Sequence, residues 1–370
     1  MSDLFTRYAP ISGSTPHTYF AGANTADGFA GAYPAWIRET ELDRLYIIKG
    51  GSGTGKSSMM KACASEAQRL GAEVTLLLCS SDPSSADAVI LRGENGHTAA
   101  ILDGTAPHTL DPSLPGAVSE IVNVGIYWDA DILRAHREEI TAVCAEKKEA
   151  YERAYRFLGA YRHLTEVRRE LLSPCVYTDK MEAAAARIAA SFPQEKHAGV
   201  QTRYTYALSM NGAYHLTTFA AMAKREFRIL DAYGAGEFFL RAMTRATADR
   251  RCPLLSSPSP ACPDLPAELY IPGTGAYFTL ADTRGEAADG VQYINMQRFL
   301  NREELAKRRA RLRFTERCRE MLFDGALDAL SDARRCHFAL EEIYKSAMDF
   351  RGVSEETERL CREIGEMLRE

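Results

Sequence analysis

The chain has 370 residues, of which 46% are hydrophobic and 26% charged, so a packed core is expected and extensive disorder is excluded. Its 45 lysines and arginines stand against 50 aspartates and glutamates, and this balance argues against a nonspecific nucleic-acid coat. No apolar run approaches the roughly 20 residues that span a bilayer, so no membrane partner is expected. The lack of a secretory leader pattern and of any C-x-x-C cysteine pair predicts a cytoplasmic protein with reduced thiols.

A strand, a glycine-rich loop and a helix are predicted in succession around residue 50. Residues 45–48 form a short apolar run bounded by glycine, which is typical of a buried parallel strand. Residues 58–70 have a helical pattern that ends at Gly71. The segment between them, GGSGTGKS from Gly50 to Ser57, matches the full phosphate-loop (P-loop) pattern. A glycine-rich turn with an incidental lysine is the alternative, and the strand and helix on either side disfavour it.

The residue types of this loop suit a triphosphate. Glycines allow the backbone to turn tightly and direct N–H groups at phosphate oxygens, and the helix N-terminus adds the positive end of a dipole. Lys56 is predicted to reach the β- and γ-phosphates as a catalytic residue, and the Ser57 hydroxyl to ligate Mg²⁺. The predicted nucleotide-binding residues are Gly50, Gly51, Ser52, Gly53, Thr54, Gly55, Lys56, Ser57 and Ser58.

A magnesium site next to a P-loop also needs an acid at the end of a neighbouring strand. Residues 98–102 are apolar and lead into Asp103, after a hairpin arm predicted at 88–91. We therefore predict that Asp103 holds Mg²⁺ together with Ser57 and takes part in catalysis. A plain turn-capping role is the alternative for Asp103.

Two further candidates lie in loops after predicted strands, where ligands bind in open α/β sheets. Asp82 follows the buried strand 73–79 and is a candidate catalytic residue, either as a metal ligand or as the base for an acceptor. An ordinary turn residue before proline is an equal alternative for Asp82. His108 lies beyond Asp103 and is a candidate base or γ-phosphate sensor, with a simple hydrogen-bonding role as the alternative.

The second half of the chain repeats the order of strand, glycine turn, helix and further strands found in the first. Residues 53–57 of the loop then correspond to residues 234–238. The phosphate-binding lysine is replaced by Glu237 and the magnesium-binding serine by Phe238. We therefore predict a duplication in which the second copy does not bind nucleotide. Two unrelated α/β domains are the alternative.

The repeat divides the chain into a competent domain at 1–192 and a degenerate domain at 203–370, each with a helical extension. Residues 192–199 are predicted to be the linker. Asp103 aligns with Asp282 in this comparison.

Long helices are predicted at 129–172, 301–347 and 353–370. They are expected to cover a sheet, with a stalk, lid or bundle as the alternatives. Residues 302–319 are rich in arginine and lysine, which is typical of a solvated helix face balanced by acids; a nucleic-acid surface is the less favoured interpretation.

Several motifs together resemble a family of bacterial proteins with two tandem P-loop domains, described as ATP-binding proteins or nucleotide kinases. The resemblance rests on FAGANTADGF, KGGSGTGKSS, CSSDPSSAD and ILDGTAPHTLDP followed by Pro115 and Gly116, and it covers nearly the whole chain. Some members have two competent halves, from which this chain departs at Glu237 and Phe238. The segment from Asp103 to His108 also resembles the Asp-Gly-Phe-Pro-Arg stretch of adenylate kinases, with an extra residue and with histidine in place of arginine.

The sequence thus predicts an α/β fold with two tandem P-loop NTPase-like, three-layer αβα domains and additional long helices. Only the N-terminal site is expected to bind Mg²⁺ and ATP, with GTP as the alternative nucleotide. We expect slow hydrolysis or kinase-like phosphoryl transfer, because no glutamate follows Asp103 to activate water. The alternative is a nucleotide-gated interaction protein with little turnover. The acceptor or protein partner stays open, and nucleic acid is not favoured.

Overall fold

A computed structural model describes residues 7–11, 17–195, 199–283 and 290–370. The fold is mixed α/β, as predicted. Among the helices of these ranges, none combines the length and the apolar character needed to cross a bilayer. Residues 196–198 of the predicted linker lie outside the described residues. The domain boundaries at 192 and 203 stay a prediction.

The first half of the chain contains nine strands and five helices in its described residues. They are β1 (Ala9–Ile11), β2 (Thr18–Phe20), β3 (Gly22–Thr25), β4 (Gly28–Gly31), α1 (Tyr33–Trp36), β5 (Arg44–Lys49), α2 (Lys56–Arg69), β6 (Glu73–Leu78), β7 (Ala86–Arg92), β8 (Thr98–Asp103), β9 (Ser119–Asn123), α3 (Ala130–Ala135), α4 (Arg137–Leu172) and α5 (Thr178–Ala189). The predicted strand at 45–48 and helix at 58–70 correspond to β5 and α2. The helical segment predicted at 129–172 is divided at His136 into α3 and α4.

The second half contains eight strands and four helices in its described residues. They are β10 (Val200–Thr202), β11 (Tyr206–Ser209), β12 (Gly212–Leu216), α6 (Thr218–Met222), β13 (Arg225–Leu230), α7 (Gly236–Asp249), β14 (Leu254–Ser259), β15 (Cys262–Ile271), β16 (Ala276–Ala281), β17 (Val291–Asn295), α8 (Arg302–Ser346) and α9 (Phe350–Met367). The two predicted C-terminal helices are confirmed, and both begin at a capping side chain. Asn301 accepts two backbone N–H bonds at the start of α8, and Asp349 does the same for α9.

Two six-stranded sheets have the same strand order, β2-β6-β7-β8-β5-β9 in the first half and β10-β14-β15-β16-β13-β17 in the second. In each, the strand before the glycine turn (β5 or β13) lies between two parallel neighbours. The hairpin strand β7, like β15, is antiparallel to both of its neighbours. The helix after the turn has 14 residues in both halves. Element for element, the halves share one topology.

The strand register corrects one equivalence drawn from the sequence. Ile48 of β5 pairs with Asp103, whereas its counterpart in β13, Ile229, pairs with Leu280. The alignment of Asp103 with Asp282 is therefore wrong by two positions. Two residues (260–261) join β14 to β15, whereas seven (79–85) join β6 to β7, and the hairpin strands also differ in length, so the spacing along the chain does not report the register. At the position of Asp103, the second half has an aliphatic side chain.

Each half contributes its last helix to the other half. Helix α9 packs on α2, where Val353, Leu360 and Ile364 join the core of the first sheet. Helix α5 packs on α7, where Met181 and Ala185 join the core of the second sheet. The long helices α4 and α8 pack along each other and connect these exchanged ends. Of the predicted long helices, α9 covers a sheet, which belongs to the opposite half, whereas α4 and α8 pack chiefly on each other.

The inner faces of the two sheets meet in a shared core. Leu45 and Ile47 of β5 pack in one cluster with Phe219 of α6 and with Tyr270 and Tyr277 of the second sheet. Among the helices of the described residues, the short α1 and α6 contribute to this layer. This arrangement differs from two separate three-layer αβα domains, because the second helical layer of each sheet is largely replaced by the other sheet.

Three of the eight basic side chains in segment 302–319 form ion pairs with acids. Lys307 and Arg308 both bind Glu304, and Arg319 binds the buried Glu316. The interpretation as a balanced helix face stays a prediction.

Candidate functional site

The glycine-rich loop that begins at Gly50 links the carboxyl end of β5 to the first residue of α2. Gly53 and Gly55 have φ angles of +69° and +90°, a left-handed conformation that glycine adopts readily. At Gly50, an added Cβ would lie 2.3 Å from Cγ2 of Val124. The tight turn and the close packing behind it therefore require glycine at these positions.

The Lys56 ammonium lies across the loop and beside a carboxylate. Its Nζ donates to the carbonyl oxygens of Gly51 at 2.5 Å and Gly50 at 3.3 Å, and lies 3.5 Å from Oδ2 of Asp103. The Lys56 and Asp103 side chains are only 10% and 16% exposed. The structure thus brings together the predicted phosphate-binding lysine and the predicted metal-binding acid.

Residues that the sequence analysis did not select hold Asp103 and the loop in place. The Thr105 N–H donates to Oδ1 of Asp103 at 2.8 Å, and the Thr105 hydroxyl donates to the Gly50 carbonyl at 2.9 Å. Lys49 Nζ donates to the carbonyls of Gly104 and Leu110, at 2.9 and 3.0 Å. These bonds connect the end of β8 directly to the start of the loop, so they fix the spacing between the lysine and the acid.

The hydroxyls of Thr54 and Ser57 make different contacts. Thr54 is buried and donates to the Gly51 carbonyl at 3.0 Å, which stabilises the turn. The Ser57 oxygen accepts the Ala86 N–H at 2.9 Å. A hydroxyl oxygen has two lone pairs, so Ser57 retains one for a metal ion.

The loop amides are suited to an anion. In the described part of the chain, no acceptor takes the N–H groups of residues 52–55. A cradle of glycines, open backbone amides, an adjoining ammonium and a nearby carboxylate fits the phosphates and Mg²⁺ of a nucleotide. Among the described residues, no group of three or more His, Cys, Asp or Glu side chains converges as a metal site by itself.

The corresponding loop of the second half is closed by its own carboxylate. Asp231 directly follows β13, at the position that Gly50 occupies after β5. Its Oδ1 accepts the N–H groups of Tyr233, Gly234 and Ala235 at 3.0–3.1 Å, and its Oδ2 accepts that of Gly236 at 2.6 Å. These four amides are therefore already bound to an anion, and the loop does not fit a phosphate.

Glu237, at the position of Lys56, is buried against the first half of the chain. Its Oε2 accepts a bond from Arg168 of α4 at 3.0 Å, and Arg169 lies 3.6 Å from Oε1. Burial raises the pKa of Glu237, and the two arginines only partly oppose this rise. The second loop thus binds arginines of α4 where the first loop presents a lysine.

His108 belongs to a buried ion pair that the sequence analysis missed. Its Nε2 lies 3.1 Å from Oδ2 of Asp87 in β7, and the side chains are 8% and 7% exposed. The rings of Phe29 and Tyr33 cover the imidazole. Burial opposes protonation, but the hydrogen bond and charge of Asp87, aided by Asp103, outweigh it and raise the pKa of His108. The sequence did offer one signal for this pair, because Asp87 interrupts the apolar strand run ADAVIL.

Replacing Asp87 with asparagine is expected to lower the free energy of unfolding by about 2 kcal/mol near neutral pH, because the buried ion pair with His108 is lost. The pKa of His108 is raised above 6.5, so this stabilisation is fully present below 6.5 and disappears as the pH rises through the raised value. Urea denaturation of both proteins across this range should show the difference shrinking with rising pH. A difference independent of pH would contradict a protonated pair.

Helix α8 packs on the glycines of the loop, and Asp82 lies in the turn between β6 and β7. Oδ1 of Asp82 accepts both the N–H and the hydroxyl of Ser84, so the side chain caps its own turn. Its predicted catalytic role stays a prediction. From α8, Tyr344 covers Gly51: a Cβ added to this glycine would lie 2.6 Å from the ring. An added Cβ on Gly53 would lie 3.0 Å from the carbonyl oxygen of Glu341.

A second group of side chains continues from Glu341 along the helices. His337 Nε2 lies 3.3 Å from Glu341 Oε1, and its Nδ1 lies 3.2 Å from Nζ of Lys147 in α4. Burial lowers the pKa of Lys147, and burial together with the Lys147 charge lowers that of His337. The loop of the first half is therefore bordered by titratable residues from the second.

Comparison with known proteins gives no family for this chain. The sequence matches no protein-family model, no curated protein and no solved structure.

Proposed function

We propose that the first loop binds a magnesium nucleoside triphosphate, ATP or alternatively GTP, for slow hydrolysis or kinase-like phosphoryl transfer. The observation that supports this most is the contrast between two loops of the same topology. One is closed by Asp231 and holds Glu237 among arginines. The other has Gly50 and Lys56 at those positions, with open amides and Asp103 at 3.5 Å from the ammonium.

The residues of the first loop then have distinct roles. The amides of residues 51–55 and the Lys56 ammonium hold phosphate oxygens. Ser57 and Asp103 hold Mg²⁺, which neutralises phosphate charge when it is bound. The chain's own contribution is positioning and electrostatic stabilisation, which suits phosphoryl transfer because that reaction needs little covalent participation by the protein.

The finer fold assignment and the family are part of the same proposal. We take the two halves as tandem P-loop NTPase-like units that arose by duplication, with the second degenerate. Their identical strand orders support this. The resemblance to bacterial tandem P-loop ATP-binding proteins and a cytoplasmic location remain part of the proposal.

A nucleotide-gated interaction protein is the second candidate, and one observation favours it. Tyr344 and Glu341 of α8 contact the loop itself, and α8 packs along the whole interface with α4. A triphosphate in the loop would therefore act directly on the end of a 45-residue helix. Such a contact can transmit occupancy to a distant surface without turnover.

Calorimetric titration of the full chain with ATP, with and without Mg²⁺, tests the main proposal. We expect magnesium-dependent heat with one site per chain, and at least about tenfold weaker magnesium-dependent binding in Asp103→Asn. Asp282→Asn, which makes the same chemical change just after β16 in the second half, is the control and should bind like the wild type. Absence of magnesium-dependent heat with both ATP and GTP, or two sites per chain, would overturn the proposal.

Product analysis separates the two candidates. The same protein is incubated with Mg·ATP and a panel of nucleosides and small hydroxyl compounds. ADP together with a phosphorylated acceptor would identify a kinase, and ADP with phosphate alone a hydrolase. Tight binding without ADP would favour the gated interaction protein.

A further inference from the structure

Two cysteines face each other where the C-terminal helix meets the helix of the P-loop. Cys63 of α2 is fully buried, and its Sγ lies 3.4 Å from Sγ of Cys361 in α9. Both are free thiols. They are 298 positions apart in the chain, so their approach depends on the exchange of α9 onto the first half.

The two thiols differ in access and in acidity. Cys361 is half-buried and lines a surface cavity with Arg362, Arg369 and Glu66, whereas Cys63 lies behind it. Hydrogen bonding between the sulfurs lowers the pKa of Cys361 and raises that of Cys63. Thiolate character and access both favour Cys361 as the sulfur that a small oxidant reaches first.

We propose that Cys63 and Cys361 form a reversible disulfide that fastens α9 to α2 when the protein meets a peroxide. The Cys361 thiolate attacks one oxygen of hydrogen peroxide and the O–O bond breaks, which forms a sulfenic acid. The departing hydroxide takes up the proton that the Cys361 thiol had lost and leaves as one water. The Cys63 sulfur then attacks the sulfenic sulfur, the S–O bond breaks, and the Cys63 proton leaves with the hydroxide as a second water. The two thiols lose two electrons and the peroxide gains them.

The geometry requires little movement. A disulfide has an S–S distance of about 2.05 Å, so the sulfurs must approach by roughly 1.4 Å, which small side-chain rotations supply. Neighbouring helices already hold both residues in one hydrophobic core, where Met60 and Leu360 lie beside them. The oxidised bond would close a chain segment of nearly 300 residues, so it strongly restricts the unfolded state.

The proposed disulfide between Cys63 and Cys361 is independent of the proposed nucleotide chemistry, although it lies close to the first loop. Val353, in the first turn of α9, lies 3.2 Å from a Cβ added to Gly55. A disulfide further along α9 would therefore hold this helix against both α2 and the loop. Helix α9 would be free to separate from α2 only in the reduced protein.

The test is peroxide treatment of the full chain, blocking of free thiols, and mass spectrometry of a tryptic digest without reductant. We expect peptides 62–69 and 360–362 joined by a disulfide, and a melting temperature at least about 5 °C higher that returns to its starting value with dithiothreitol. Cys63→Ser and Cys361→Ser should lose both effects. Cys144→Ser, which alters an exposed cysteine of α4, should retain both.

Two results would overturn the proposal. One is oxidation of Cys361 to sulfinic or sulfonic acid without the joined peptides. The other is a thermal shift that persists in Cys361→Ser, because it would show that a different pair of cysteines is responsible.

Discussion

Replacing Lys56 with alanine should weaken Mg·ATP binding roughly 100-fold or more. The ammonium is the only side-chain cation that the structure places against the carbonyls of Gly50 and Gly51, as far as its described residues extend. Each hydrogen bond from a charged group contributes about 1.5–3 kcal/mol, and about 1.4 kcal/mol corresponds to a tenfold change in affinity. Calorimetric titration of wild type and variant measures the loss directly.

The matched control is Glu237→Gln, at the same position of the second loop. Glutamine keeps an oxygen that accepts from Arg168, so the fold is retained, and we expect ATP affinity within about twofold of the wild type. If Glu237→Gln weakened binding as much as Lys56→Ala, the assignment of nucleotide to the first loop would be wrong. If Lys56→Ala bound normally, the Lys56 ammonium would have no part in phosphate binding.

Replacing Arg168 with methionine is expected to reduce the free energy of unfolding by about 3–5 kcal/mol. Arg168 is 11% exposed and lies between the carboxylates of Glu237 and Glu316, which are 6% and 5% exposed. Removing the arginine leaves Glu237 buried with only Arg169 at 3.6 Å. Methionine keeps much of the volume, so the loss reports charge rather than a cavity. Urea denaturation followed by circular dichroism measures it.

The double variant Arg168→Met with Glu237→Gln distinguishes charge from packing. Glutamine carries no charge, so the double variant should regain a substantial part of the stability lost in Arg168→Met. Glu316 keeps Arg319 at 2.6 Å in both proteins. A double variant no more stable than Arg168→Met would show that the buried charge of Glu237 is not the cause.

The first loop and its strand and helix could be predicted because their signals are local. Strand β5, the glycines and α2 are adjacent in the chain. Asp103 could be predicted as well, because it ends a strand that lies next to β5. The pair of Asp87 and His108 was missed because it depends on which face of β7 its acid occupies. The alignment of Asp103 with Asp282 failed because connections and hairpin strands of unequal length hide the register.

The closure of the second loop could be predicted only in part. Glu237 and Phe238 indicated a lost site, but the role of Asp231 depends on the conformation of the turn that follows it. The exchange of α5 and α9 has no sequence signal, because an amphipathic helix buries its apolar face equally well on either sheet. The residues that the second half brings to the first loop, such as Tyr344, could therefore not be predicted from the sequence.

The exchanged helices make the two halves mutually dependent. Without α9, the first sheet would expose apolar side chains of α2 to water, and without α5 the second would do the same on α7. Neither half can therefore be discarded as a spare copy, since the other would lose part of its own hydrophobic interior with it. Whatever chemistry a half carries out, it is an obligatory scaffold for its neighbour.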